Sequence, residues 1–208
     1  RVIFFLTVML VAAMASSCRS QYETMLSSAD VDSKYAYAME LMELKKYHKS
    51  ASMFESLSMQ TSGTDRDDTV RYYWAYSNYK DRDYVTAEAN FGSFLELYPM
   101  CPFSAEAKFL KLDCMFRATY RYELDQNPTR ACVAAISEYM VEEHPDSLHM
   151  SVCNKMLDDL LGRLDKKAFA GAYLYYKMED YIAAKVAFKN VLKDNAETPY
   201  REDILYYI

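Results

Sequence analysis

The chain has 208 residues, enough for one good-sized domain or an array of small repeats. Its four glycines and five prolines leave little room for β-hairpin turns, while Ala, Leu, Met, Glu and Lys are plentiful, so an all-helical protein is expected. A formal net charge of -6 gives no electrostatic footprint for DNA or RNA, and no nucleic-acid partner is expected.

The N-terminal stretch "RVIFFLTVMLVAAM" is uncharged from Val2 to Met14, with Arg1 as its basic flank. It is shorter than the roughly 20 apolar residues that span a bilayer, and it has the layout of a secretory signal peptide, closing on the small residues Ala15, Ser16 and Ser17. With Cys18 directly after them, "MASSCR" resembles the lipobox of bacterial lipoproteins. That resemblance implies a signal peptide over residues 1–17, a diacylglyceryl-modified Cys18 as the first mature residue, and a linker over residues 18–30. Ala15 stands where lipoboxes usually carry Leu. An ordinary signal peptide with an incidental cysteine, or an uncleaved amphiphilic anchor, are the other readings.

Internal self-similarity then sets the fold. "KYHKSASMFESLSM", "DYVTAEANFGSFLELYP" and "DYIAAKVAFKNVLKDNAETP" each open on a tyrosine: Tyr47, Tyr84 or Tyr181. Three residues on comes a small one (Ser50, Ala87, Ala184), and seven on a phenylalanine (Phe54, Phe91, Phe188). A fourth copy, "TRACVAAISEYMVEEHPDS", has the small pair Ala131 and Cys132 and puts Ile136 at the Phe position. Pro99 and Pro145 close two of the copies, as residues that cannot continue a helix. A second helical stretch precedes the three tyrosines, with Ala38, Ala75 and Ala172 at one position. A small residue there lets two antiparallel helices approach, and the Phe of the second helix covers the gap. The pairing resembles the tetratricopeptide repeat and predicts a helical-repeat solenoid over residues 31–208, with four repeats at about 31–63, 66–100, 103–147 and 150–199. The copies are spaced more widely than the standard ~34 residues. "RYELDQNPT" and a helix around "NKMLDDLLGRLDKK" absorb the excess. The acidic "TDRDDT" reads as a linker ending in Asp67 or Asp68 as an N-cap for the second repeat.

From the register of the three alanines, the residues three before, one after and four after form a stripe on one helix face. They are Tyr35, Met39 and Met42 in the first repeat, Tyr72, Tyr76 and Tyr79 in the second, and Phe169, Tyr173 and Tyr176 in the fourth. In this architecture that face lines the concave groove, while Trp74, Ala75 and Asn78 face the packing seam. Tyrosine suits a wet, half-apolar peptide-binding wall, and methionine adds adaptability. The alternative is that these rings pack against the adjacent repeat.

Catalytic and metal chemistry find no foothold. His48, His144 and His149 are wrongly spaced for one helical face, and there is no G-x-S-x-G, P-loop or H-E-x-x-H. Cys101, Cys114, Cys132 and Cys153 form no C-x-x-C pair and are expected as small buried apolar residues, although an exported chain permits a disulfide. A non-catalytic protein without cofactor or metal follows.

The chain from about Cys18 onward resembles the BamD family of outer-membrane protein assembly lipoproteins. The resemblance is carried by the lipobox, "YETMLSSAD", "YELDQNPTRA", "EEHPDS" and "LDKKAFAGAYLYYKMEDYIAAKVAF". "LDQ" followed by Thr-Arg-Ala discriminates most, because the repeat itself does not require it. The resemblance implies a lipid-anchored scaffold on the periplasmic face of the outer membrane. Its C-terminal repeats would hold a BamA-type barrel insertase, and its N-terminal repeats would receive unfolded barrel precursors through a C-terminal aromatic signal. Family members look like five-repeat proteins, so a fifth repeat is expected after Ile208. A tetratricopeptide lipoprotein of cell-wall or envelope-constriction machinery is the alternative within this architecture, and an envelope hydrolase with a helical shell is the alternative outside it.

Overall fold

The computed structural model describes residues 21–142 and 146–208, and every regular element among them is an α-helix. The leader, Cys18, His144 and Pro145 lie outside the described residues. The helices fall into two compact units that divide between Ser104 and Ala105. The first contains α1 (Gln21–Leu26), α2 (Val31–Glu43), α3 (Tyr47–Thr61), α4 (Asp67–Lys80) and α5 (Tyr84–Leu97). The second contains α6 (Ser104–Ala118, whose first residue belongs to the first unit), α7 (Asn127–Glu142), α8 (Ser147–Lys177), α9 (Tyr181–Asp194) and α10 (Arg201–Tyr207). Successive helices pack on each other from α1 to α5 in the first unit and from α7 to α10 in the second, the arrangement expected of a tetratricopeptide-like solenoid.

Three of these hairpins close by the same turn. Lys45, Arg82 and Glu179 adopt left-handed backbone, with φ of 57°, 68° and 63°. The next residue's N–H reaches back to the preceding helix: Lys46 to the Leu41 carbonyl at 2.8 Å, Asp83 to Asn78 at 3.0 Å, and Asp180 to Tyr175 at 3.1 Å. This is the Schellman arrangement, which satisfies helix-end carbonyls that would otherwise lack donors. Asp83 and Asp180 then cap the following helix, accepting from the N–H of Thr86 at 3.2 Å and of Ala183 at 3.0 Å. Lys46, in the equivalent place, offers no side-chain cap to α3.

The small residues do what their register predicts. Ala38, Ala75 and Ala172 are buried, as are Ser50, Ala87 and Ala184 opposite them. The α2–α3 approach is so close that the Ser50 hydroxyl donates to the Ala38 carbonyl at 2.9 Å. Phe54, Phe91 and Phe188 are fully buried, and Ile136 holds the same place in the third copy. The first core gathers Ala38, Leu41, Met53, Phe54, Leu57 and Val70, and Tyr22, Met25 and Leu26 of α1 lie over it.

Two sequence expectations change. The helix expected around "NKMLDDLLGRLDKK" and the first helix of the fourth repeat are one continuous 31-residue helix, α8, because no proline or left-handed turn interrupts them. Its N-terminal half supplies Cys153, Met156 and Leu160 to a core with Leu112, Cys132 and Ile136. Its C-terminal half supplies Phe169, Ala172, Tyr173 and Tyr176 to a core with Ala184, Phe188, Val191 and Ile204. At α4 the residue before the helix is Arg66, without a side-chain cap, so neither Asp67 nor Asp68 is the N-cap. Asp67 turns inward instead, where its carboxylate accepts from Arg71 Nε at 2.9 Å and from the Tyr98 hydroxyl at 2.6 Å.

Candidate functional site

Within the first unit the aromatic stripe divides by depth. Tyr72 is only 4% exposed and belongs to the core. Its ring stacks on Phe103 at 4.5 Å and touches Phe94 at 5.9 Å and Phe91 at 6.2 Å. It therefore holds the α4–α5 hairpin to the segment leading into α6 and offers no surface to a ligand. Tyr76 and Tyr79, one and two turns on, are half-buried, with ring centroids 6.2 Å apart, and Tyr79 meets Tyr84 of α5 at 6.0 Å. Lys80 Nζ lies 5.4 Å from the Tyr76 ring. These rings form a ladder with one side open, able to pack flat against an apolar or aromatic side chain.

Tyr35, Met39 and Met42 of α2 are half-buried beside the first core. Tyr35 sets its edge against Phe54 at 5.8 Å. Burial, reinforced by Tyr73 and opposed by Arg66, pushes its phenol above the ordinary value. Next to it a cleft of about 420 Å³ is lined by Asp32, Tyr35, Arg66 and Thr69, with Arg66 and Asp32 ion-paired across it. Of the first-repeat stripe only Tyr35 lines this hollow, Met39 and Met42 packing against the first core, and Arg66, which the sequence did not single out, lines it opposite Asp32.

In the second unit the stripe is half-buried too, and α10 with the segment before it packs on its rings. Tyr200 stacks on Phe169 at 4.7 Å, and Tyr207 of α10 lies 5.3 Å from Tyr173, 4.7 Å from Tyr176 and 5.5 Å from Phe188. A hydrogen bond with Tyr173, then burial, raises the Tyr207 phenol above its usual range. Phe169, Tyr173 and Tyr176 thus share their faces with rings of the following segment and of α10.

The segment "YELDQNPTR" acquires a physical reason. Gln126 is 3% exposed, and its Nε2 donates to the carbonyls of Arg121, Leu124 and Asp125 at 2.9 to 3.3 Å, while its Oε1 accepts from the Thr129 hydroxyl at 2.9 Å. Lys167 Nζ donates to the carbonyls of Glu123 and Leu124 from the α8 side, and Arg163 Nη1 donates to Thr119 Oγ1 at 2.8 Å. The loop is a fixed shape that holds Tyr120 and Leu124 exposed beside an open cleft of about 670 Å³.

No group of three or more His, Cys, Asp or Glu side chains among the described residues could hold a metal ion. His48 sits 3.5 Å from Asp81, and the His149 ring lies tilted against Phe109, with centroids 4.2 Å apart, beside Asp146. Cys114, Cys132 and Cys153 are buried, none of them or Cys101 is in a disulfide, and burial pushes the Cys153 thiol up. No described helix is long and apolar enough to cross a membrane.

Two comparisons bear on these features. The family described as "YfiO: Outer membrane lipoprotein" matches residues 28–208. The outer membrane protein assembly factor BamD of Caulobacter vibrioides is 22% identical over 200 residues, which cover 95% of this chain and 65% of that protein. The family match takes in α2 through α10, with both aromatic stripes and the Gln126 loop, and the chain belongs to the YfiO family of outer membrane lipoproteins.

Proposed function

We propose that this chain is a non-catalytic, lipid-anchored scaffold on the periplasmic face of the outer membrane, within the machinery that folds and inserts β-barrel proteins. Cys18 carries the lipid, residues 18–30 form the tether, and residues 31–208 form the repeat domain. Extended segments of unfolded barrel precursors lie against the half-buried rings of the first unit, Tyr76 and Tyr79, and against the hollow beside Tyr35, with Met39 and Met42 further along the same helix. The C-terminal repeats hold a BamA-type barrel insertase. The observation that carries this reading is the family match over nearly the whole repeat domain, and the relative named as an assembly factor supports it. An open, half-buried tyrosine ladder suits chains that share aromatic and apolar side chains rather than one sequence.

Affinity purification from detergent-solubilised envelopes tests the reading. Recovery of a barrel insertase together with a lipid-modified Cys18 as the first residue is the expected result. Recovery of cell-wall synthases instead, or a mature protein whose N-terminal peptide spans Ala15 to Tyr22 unmodified, overturns it.

A further inference from the structure

The turns that close the first two hairpins meet on one edge of the first unit, where His48 Nδ1 lies 3.5 Å from Asp81 Oδ2. That edge carries Lys45, Lys46, Lys49, Lys80 and Arg82, with Glu43, Asp81 and Asp83 as its carboxylates. Lys45, Lys46 and Lys49 are exposed, and among the described residues no ion pair engages them. A chain of net charge -6 thus concentrates cations here.

Helix electrostatics do not account for them. Cations favour the C-terminal end of a helix, which suits Lys80 at the end of α4. Lys46 and Lys49 sit at the start of α3, where the dipole disfavours positive charge and where α5 and α9 carry a capping aspartate. Lys45 and Arg82 also occupy left-handed positions that glycine fills without strain. The matching turn of the second unit, Met178-Glu179-Asp180, is acidic. The positive charge belongs to this edge and not to the turn type.

The chain enters on the same side. Tyr22, in the first turn of α1, lies under Lys49, with Nζ 5.1 Å from the ring centroid. Cys18 is four residues before Tyr22, a separation of at most about 14 Å. Leu44, 54% exposed, projects beside the lysines.

We propose that this edge is a membrane-contact surface: Lys45, Lys46 and Lys49 bind the headgroups of anionic phospholipids while Leu44 enters the interface. For the identity of the membrane the inference rests on the lipid anchor at Cys18. One acyl anchor with a basic patch holds more firmly than either alone, and two points of attachment fix orientation where one does not. The first unit then stands with α1 and the two turns towards the lipid.

The test uses the mature chain with Cys18→Ser, so that its outcome is independent of acylation. Binding to phosphatidylethanolamine–phosphatidylglycerol vesicles should exceed binding to phosphatidylcholine vesicles and weaken as salt rises. Lys45→Gln, Lys46→Gln and Lys49→Gln together should weaken it roughly a hundredfold, as expected for three lysines at a charged leaflet. The same three positions changed to Arg should retain it, as should Lys185→Gln, Lys189→Gln and Lys193→Gln on α9. Equal binding to both vesicle types, retention by the first triple variant, or equal loss in the α9 variant overturns the contact and leaves the anchor untouched. A missing lipid on Cys18, with the vesicle preference intact, overturns the anchor alone.

Discussion

The Tyr98 hydroxyl donates to the Asp67 carboxylate at 2.6 Å, tying the end of α5 to the start of α4 across an aspartate that is 2% exposed. Arg71 supplies the balancing charge at 2.9 Å. The bond, with burial, raises the Tyr98 phenol above its ordinary value. Tyr98→Phe leaves the buried carboxylate short of a donor and should cost about 2 kcal/mol, the scale of a hydrogen bond to a charged group. Denaturant unfolding measures it, and Arg71→Ala should add little to the loss once Tyr98 is gone if the two act as one network.

Lys34 is fully buried in α2, with Nζ donating to Ser56 Oγ at 2.9 Å and Gln60 Oε1 at 3.5 Å, both neutral. Burial lowers its ammonium below the ordinary 10.5. A base with a lowered folded pKa is a penalty fully present below that pKa, and stability rises as pH climbs from it towards 10.5. Lys34→Met should therefore be about 1 kcal/mol more stable than the parent at neutral pH. The gap should narrow at alkaline pH. A gap that widens with pH would show that the lysine is favourably solvated.

Tyr72 and its neighbours separate packing from recognition. Tyr72→Ala should cost about 3 to 5 kcal/mol, because it empties space between Phe91, Phe94 and Phe103. Tyr76→Ala with Tyr79→Ala should weaken binding of a barrel precursor's C-terminal peptide about thirtyfold, corresponding to an anchor worth roughly 2 kcal/mol, with helix content near the parent's. Unchanged peptide affinity in that variant would return the two rings to repeat packing.

Glu179 holds φ of 63° at the turn between α8 and α9. Glu179→Gly relieves about 1 to 2 kcal/mol of left-handed strain and loses part of that to the freer unfolded chain. The melting temperature should rise modestly. A fall would mean that the Glu179 side chain makes a contact outweighing the strain.

Gln126→Ala removes the donor that gathers three loop carbonyls and the acceptor of the Thr129 hydroxyl. A loss of about 2 kcal/mol or more is expected. Limited proteolysis should cut first between Thr119 and Asp125, whereas in the parent the loop should resist.

The repeat was legible because small residues and phenylalanines at fixed spacing are demanded by backbone approach. Ala38, Ala75 and Ala172 with Phe54, Phe91 and Phe188 sit where that spacing puts them. Tyr72 was not distinguishable from Tyr76, since a 3.6-residue period names a face but not the depth at which the next element crosses it. Phe103, far along the chain, decides that depth. Asp67 looked like a cap because caps and buried carboxylates use the same residue, and only the distant Tyr98 hydroxyl tells them apart. The continuity of α8 is not legible in the sequence because two amphipathic stretches in tandem give the same pattern whether or not a turn lies between them. Lys34 and Gln126 carry no local signal of burial at all.

The unbroken α8 also has a mechanical meaning. In a stack of hairpins each turn is a joint at which neighbours can rock or unfold separately, but α8 replaces one joint with a rod about 46 Å long. The core around Cys153 and the core around Ala172 share this rod. Twisting or fraying at one end is therefore delivered to the other, and the two cores should open to hydrogen exchange as a single block. In the first unit no helix runs from one hairpin core into the next, and each hairpin can yield more independently. Lys167 on this same rod grips the Gln126 loop, so the helix that packs against α9 also holds that loop.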